Sequence, residues 1–359
     1  MLKDENNEGN INEKINNNGE INNKSINKVP EILLCASNIS ISFSQYSKGL
    51  KKIVLNVVEN LDLNVCEGEI VAILGSSGSG KSLLAHAILG ILPGNSILKG
   101  EMKYNGQILD QKLKEELRGN EIALIPQSVD FLDPLMRIGD QIIGDIEDEK
   151  EKEEKRKEMI KVFKNYDLRE DTADLYPFQL SGGMARKVLF STALINNPKL
   201  IIADEPTPGL DEKSLNETLN YLKIMANEGR GIVLITHDIQ AAVSVADKIA
   251  IFYSGYLIEL NETKNFTKNG DKLLHPYTRA LYKALPTNGF QLFEGSQPMN
   301  MEIKDQCIYY DRCNQSIKEC KYSNPKLIEI GNGMKVRCHR SDNTYLNIVS
   351  SGKFKTNHK

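Results

Sequence analysis

The chain has 359 residues and a formal net charge of −3, from 45 basic and 48 acidic side chains. Nucleic-acid binders are usually basic, so this balance argues against DNA or RNA as the main partner. Hydrophobic residues make up 40% and charged residues 26%, ordinary values for a soluble globular protein, and no apolar run approaches the roughly 18 residues of a membrane span. The first residues are polar and lack the apolar stretch of a secretory signal. The expectation is a cytosolic protein, any membrane role of which comes through partner chains.

Residues 1–29 are rich in Asn, Glu and Lys, with isolated Ile and no periodicity, and read as a disordered tail. From about Pro30 the pattern changes. Ile39, Ile41 and Phe43 alternate with Ser40 and Ser42, which predicts an exposed antiparallel strand, and Val54–Val65 reads as another strand-rich stretch. Ile70–Leu74 is a continuous apolar run ending at glycine, the pattern of a buried parallel strand that feeds a loop. Leu83, Leu84, Ala87 and Ile88 then recur at helical spacing. Ile122–Ile125, Leu200–Ala203 and Ile232–Ile235 are further short apolar runs. Strands alternating with helices predict an α/β domain with a mostly parallel sheet.

Residues 128–180 differ from their surroundings. Glu147–Glu158 mixes both charge signs densely and predicts a solvated helix, so the span reads as a helical subdomain inserted into a sheet domain of residues 30–263. Ile249–Phe252 and Tyr256–Leu260 flank Ser254-Gly255, a hairpin turn signal. Residues 264–359 read as a separate C-terminal extension.

Gly75-Ser76-Ser77-Gly78-Ser79-Gly80-Lys81-Ser82 fits G-x-x-x-x-G-K-[ST] with a strand before it and a helix after it. Glycines let consecutive backbone N–H groups turn onto phosphate oxygens, and the following helix adds the positive end of its dipole. Lys81 is expected on the β- and γ-phosphates of a nucleotide, and Ser82 on Mg²⁺. The loop alone identifies nucleotide phosphates and no task.

The six cysteines divide into two groups. Cys35 and Cys66 stand in apolar, strand-like contexts and read as core residues. Cys307, Cys313, Cys320 and Cys338 follow C-x5-C-x6-C-x17-C, with His339 next. In a reducing cytosol that cluster suggests a metal rather than disulfides, and four soft thiolates suit Zn²⁺ or an iron–sulfur cluster.

Leu180-Ser181-Gly182-Gly183-Met184 resembles the signature motif of ABC ATPases, and Leu200–Asp204 followed by Glu205 resembles their Walker B strand and catalytic glutamate. Gln127 matches the Q-loop glutamine, His237 the switch histidine and Asp211 the D-loop aspartate; Phe43 fits the aromatic that stacks on adenine. The fold implied is that of a P-loop NTPase. The resemblance also implies that Asp204 holds Mg²⁺ with Ser82 and Gln127, that Glu205 is the general base, and that Ser181, Gly182 and Gly183 serve the ATP of a second ATPase subunit. Two departures stand out. The signature continues Met184-Ala185-Arg186-Lys187 where the peptide-importer branch usually has Arg-Gln-Arg after Met, and the D-loop carries Pro208-Gly209.

His275-Pro276-Tyr277-Thr278-Arg279-Ala280-Leu281, Leu285-Pro286, Asp133-Pro134-Leu135 and Ile138-Gly139-Asp140-Gln141 resemble the oligopeptide/dipeptide/nickel importer branch. That resemblance implies ATP-driven peptide uptake at the cytoplasmic face of the cell membrane. Its partners would be two permeases, an extracytoplasmic binding protein and a second ATPase subunit, a paralogue rather than a second copy. It associates the four late cysteines with a [4Fe–4S] cluster, with Zn²⁺ as the alternative. Nickel or metal-chelate import is the runner-up substrate reading. A soluble ABC ATPase acting on DNA or ribosomes would bring a long coiled-coil insertion or a second ATPase domain, and neither is in the sequence. A small-molecule kinase fits neither the signature nor His237.

Overall fold

The computed structural model describes residues 31–46, 52–76, 78–267, 269–291, 295, 297–298, 305–331 and 333–341. The expected tail of residues 1–29 lies outside them, as does Ser77.

Two long strands come first, β1 (Ile32–Tyr46) and β2 (Lys52–Cys66), then β3 (Ile70–Leu74) and the helix α1 (Lys81–Leu89). β4 (Ser96–Tyr104), β5 (Gln107–Ile108) and α2 (Gln111–Leu117) lead to β6 (Ile122–Ile125). Three helices follow: α3 (Ile138–Ile143), α4 (Glu149–Asn165) and α5 (Gly182–Leu194). The chain returns to the sheet with β7 (Leu200–Asp204), α6 (Glu212–Asn227), β8 (Gly231–Thr236), α7 (Ile239–Val245), β9 (Lys248–Tyr253) and β10 (Tyr256–Glu262). It ends with α8 (Pro276–Lys283), β11 (Ile328–Gly331) and β12 (Met334–Val336).

The strands form one path in the order β5-β4-β1-β2-β10-β9-β3-β8-β7-β6. Its β3, β8, β7 and β6 run parallel, and β9 is parallel to β3. β3 is buried at all five positions because both of its faces are covered. Ile70, Ala72 and Leu74 pack in one apolar cluster with α6 and α7, while Val71 and Ile73 pack in the other with α1 and the strands β1 and β2. The antiparallel strand expected at Ile39–Phe43 is β1, paired with both β2 and β4. Ser254 and Gly255 both have positive φ, 48° and 80°, in the two-residue turn between the antiparallel β9 and β10.

Cys35 and Cys66, expected in the core, are only half-buried. Strand alternation explains Cys35: Leu34 and Ala36 take the buried face of β1, so Cys35 points to the other. Cys66 ends β2 beside Glu69, whose carboxylate accepts from the Cys66 N–H (2.9 Å).

The helices between β6 and β7 bury their apolar stripes against one another. Ile138 and Ile142 of α3, Met159 and Phe163 of α4, and Ala185 and Val188 of α5 form an apolar cluster of their own. α4 is otherwise exposed and charged. It is capped by Asp148, which accepts from Lys150 N (3.0 Å) and Glu151 N (2.9 Å).

Described residues beyond Glu262 pack onto the sheet. β12 pairs antiparallel with β10, and Leu273, Tyr277, Tyr282, Cys307 and Tyr309 share the apolar cluster of the sheet. The Glu259 carboxylate on β10 is fully buried and accepts from Leu274 N (2.9 Å) and His275 N (2.8 Å). His275 in turn caps α8, accepting at Nδ1 from Tyr277 N (3.1 Å).

Candidate functional site

The loop after β3 enters α1 through Gly80, at φ 92°. A side chain there is excluded twice. The conformation is left-handed, and a Cβ would sit 2.8 Å from Val58 Cγ2. No side chain caps α1 and no acidic residue stands in its first turn, so its leading N–H groups are left for an anion. The buried Ser79 Oγ has no hydrogen-bond partner. An open helix start beside an orphaned buried hydroxyl fits a phosphate group.

Lys81 is 4% exposed and folds back over its own loop, donating to the carbonyls of Gly75 (2.8 Å) and Ser76 (2.9 Å). Burial lowers its pKa, and the charges of Glu205 and Asp204 oppose that shift. Ser82 Oγ donates to Asp204 Oδ1 at the end of β7 (3.1 Å). Burial raises the Asp204 pKa, and the Ser82 bond works against it. A hydroxyl and a carboxylate side by side make an oxygen donor set of the kind a divalent cation takes.

Glu205 follows with φ 46°, a left-handed conformation that a non-glycine residue holds only where its surroundings fix it. Its N–H donates to Ile235 O (2.8 Å), which ties the turn after β7 to β8. Its Oε2 lies 3.1 Å from His237 Nδ1 and accepts from Gln127 Nε2 at 3.4 Å. Three residues from the ends of three neighbouring strands therefore meet on one carboxylate oxygen.

The remaining residues lie elsewhere. Ser181 caps α5, accepting from Met184 N (3.3 Å), and Gly182 and Gly183 are exposed with nothing within 4 Å of an added Cβ. Among the described residues no hydrogen bond joins Ser181, Gly182 or Gly183 to the phosphate loop. Asp211 caps α6 through Ser214 N (2.9 Å) and Ser214 Oγ (3.0 Å), bonds that lower its pKa. Phe43 is half-buried in β1 and packs against the apolar cluster of the sheet.

Two contacts had no signal in the sequence. Ser76 Oγ donates to Gln297 Oε1 (2.6 Å), across 221 positions of chain. Arg186 Nη1 donates to the carbonyl of Pro206, next to Glu205.

Cys307, Cys313, Cys320 and Cys338 share one neighbourhood: the charge of each of the other three acts on Cys307, and Cys307 N donates to Cys320 O (2.8 Å). All four are free thiols. Burial pushes the Cys307 thiol up to about 12 and Cys338 up to about 11, so both pack as neutral groups. Among the described residues no group of three or more His, Cys, Asp or Glu side chains is assembled to hold a metal ion. The expected metal ligand set is thus gathered but not arranged for ligation. His339 is engaged elsewhere, with Nε2 2.9 Å from Ser323 O.

Comparison with known proteins agrees with this geometry. The ABC transporter family matches residues 58–208, and the oligopeptide/dipeptide transporter C-terminal region matches residues 258–320. A dipeptide transport ATP-binding protein of Haemophilus influenzae is 31% identical over 333 residues, covering 88% of this chain and 98% of that protein. An oligopeptide transport ATP-binding protein of Bacillus subtilis is 32% identical over 306 residues, covering 80% and 92%. Among solved structures, a dimeric ATP-binding cassette in a post-hydrolysis state with ADP and phosphate superposes with a TM-score of 0.54 at 27% identity, covering 64% of this chain and 99% of that one. With residues 58–208 and 258–320 matched and relatives more than 30% identical along most of its length, the chain belongs to the ATP-binding subunits of the oligopeptide/dipeptide ABC transporters.

Proposed function

We propose that this chain hydrolyses ATP to drive peptide uptake through partner permeases, with Glu205 as the general base. The observation that carries the assignment is the convergence of Gln127 and His237 on Glu205 Oε2, beside the Ser82–Asp204 pair. A carboxylate so held is oriented to take a proton from a water attacking the γ-phosphate. His237 shares a proton with the same oxygen and steadies the carboxylate. Lys81 and the leading N–H groups of α1 bind the phosphates, and nucleotide entry relieves the orphaned Ser79 hydroxyl. Ser82, Asp204 and Gln127 are the residues that would hold Mg²⁺, which supplies charge neutralisation on the phosphates when bound. Phe43 is assigned to the adenine.

Ser181, Gly182 and Gly183 act on the nucleotide of a second subunit. Their exposure at a helix start supports that reading, as does the dimeric state of the related cassette. Asp211 stands at the same face as a cross-subunit contact. Coupling to the permeases runs through residues 128–180. A groove of about 470 Å³ beside the Gln127 segment is lined by Phe131, Leu132, Met136 and Leu189, and Phe131 and Leu135 are strongly exposed. No helix among the described residues is long and apolar enough to cross a membrane. The relatives' transport ATP-binding names support a subunit held at the cytoplasmic face by partner permeases. Peptide as the cargo follows from the relatives' dipeptide and oligopeptide transport names.

For the four late cysteines we propose a [4Fe–4S] staple of the extension, with no part in hydrolysis. Residue type and shared neighbourhood support this, and the arrangement described above is not itself a ligand geometry. The central test is Glu205→Gln in the assembled transporter. Nucleotide binding without turnover is the expected result, and unchanged turnover would remove Glu205 as the base.

A further inference from the structure

The departure in the signature tail reaches the turn that carries the departure in the D-loop. Arg186, where the importer branch usually carries Gln, projects from the second turn of α5 and donates through Nη1 to the carbonyl of Pro206. Pro206 lies between the left-handed Glu205 and the unusual Pro208-Gly209 pair. Gly209 is itself left-handed, at φ 72°, so the turn has its present shape only with glycine there. Gly183 and Arg186 from α5 and Leu210 and Ser214 from the far side of the turn line one small cavity of about 30 Å³.

Burial does not explain an arginine at this position. Its Nε is buried without a partner, and burial lowers the pKa of the guanidinium. A neutral Gln would be easier to desolvate, so the cation is retained against a cost. What it adds is a long side chain whose cationic end reaches the Pro206 carbonyl from α5.

We propose that Arg186 is a positioning residue, fixing the strained turn that carries Glu205 to the helix that begins at Ser181, and that it does so as a matched pair with Gly209. The consequence is mechanical. α5 presents Ser181 outward at its start and grips the Glu205 turn a few residues later. A displacement of Ser181 by a second subunit's nucleotide is therefore passed to this chain's own base. The proposal rests on the reading of Glu205 as that base.

Steady-state ATP hydrolysis by the assembled transporter tests it. Arg186→Gln should lower kcat about tenfold while KM for ATP stays within about twofold, because the phosphate loop is untouched. Arg186→Lys, which keeps a cation able to reach the carbonyl, should recover most of kcat. Gly209→Ala should also lower kcat through the backbone alone, since nothing lies within 4 Å of the added Cβ. The double variant Arg186→Gln, Gly209→Ala should be no slower than the slower single, because both act on one turn. Multiplying effects would overturn the proposal, as would an unchanged kcat in either single variant. So would a joint loss in kcat, KM and melting temperature that Arg186→Lys does not rescue, which marks a packing role. Glu205→Gln is run alongside. Its near-zero turnover beside a normal Arg186→Gln removes the Arg186 proposal alone, whereas persistent turnover in Glu205→Gln removes the base and the coupling together.

Discussion

His237 Nδ1 lies 3.1 Å from Glu205 Oε2, across the ends of the parallel neighbours β8 and β7. The pairing depends on sheet register: Asp204 pairs with Ile235, which sets Glu205 level with Thr236, one residue before His237. His237→Ala should therefore leave nucleotide binding intact and lower kcat about 100-fold, the range of a lost acid–base or orienting partner. Equal turnover in the variant would show that the 3.1 Å contact is incidental.

Glu205→Gln keeps the shape of the side chain and removes its basicity. Hydrolysis should fall by about 1,000-fold or more while ATP affinity holds, and an ATP-bound dimer should accumulate on size-exclusion chromatography. The left-handed φ of 46° makes a second prediction at the same position. Glu205→Gly relieves backbone strain, so it should raise the melting temperature while abolishing turnover.

His275 gives the protein a specific acid sensitivity. It is fully buried, and desolvation lowers its pKa from the usual 6.5 to about 3, with Arg279 and Arg337 adding to the shift. A lowered pKa means that between those values the unfolded chain holds a proton the folded chain does not. This group's contribution to stability is thus intact above about pH 6.5 and falls as pH drops, by about 1.4 kcal/mol per unit, until about pH 3. Glu259, raised by burial, acts in the opposite direction, so the difference between two chains is the clean observable. His275→Asn keeps an acceptor for Tyr277 N and should flatten the acid limb of the stability–pH curve relative to the parent. Parallel curves would refute the assignment.

The cysteines are tested by composition. Anaerobically purified protein should carry about four irons per chain with visible charge-transfer absorption. Zinc without iron, or four titratable thiols and no metal, sinks the cluster.

The local parts of the fold and site were legible because their causes are local. Ile70–Leu74 and Leu200–Ala203 read as buried parallel strands since a doubly covered strand must be apolar at every position, and each delivers its functional group at its end. The turn into α1 was legible because few residue types permit the left-handed backbone of Gly78 and Gly80. Contacts made across long stretches of chain left no such trace. Nothing near Gln297 announces Ser76, and nothing in the signature tail announces the Pro206 carbonyl. The extension reads as separate because its motifs are sequence-contiguous, whereas β12 is three residues long and acquires its meaning only by pairing with β10.

Arg337, just past β12, is where that pairing can be tested. It is 5% exposed and donates to the carbonyls of Leu257 (3.1 Å), Pro325 (3.0 Å) and Asn60 (3.2 Å), while its guanidinium lies 5.1 Å from the centre of the Tyr256 ring. One side chain thus joins β10, the approach to β11, and β2. Arg337→Met keeps most of the packed stem but strands three carbonyls away from water, which should cost about 3 kcal/mol and lower the melting temperature by several degrees. Arg337→Lys can satisfy only part of the set and should fall between. If the extension were an independent module, thermal unfolding of Arg337→Met would split into two transitions, with the ATPase domain melting at its parent temperature. Because Tyr277, Tyr309 and Cys307 lie in the same apolar cluster as Ile251 and Tyr253 of β9, a single lowered transition is expected instead.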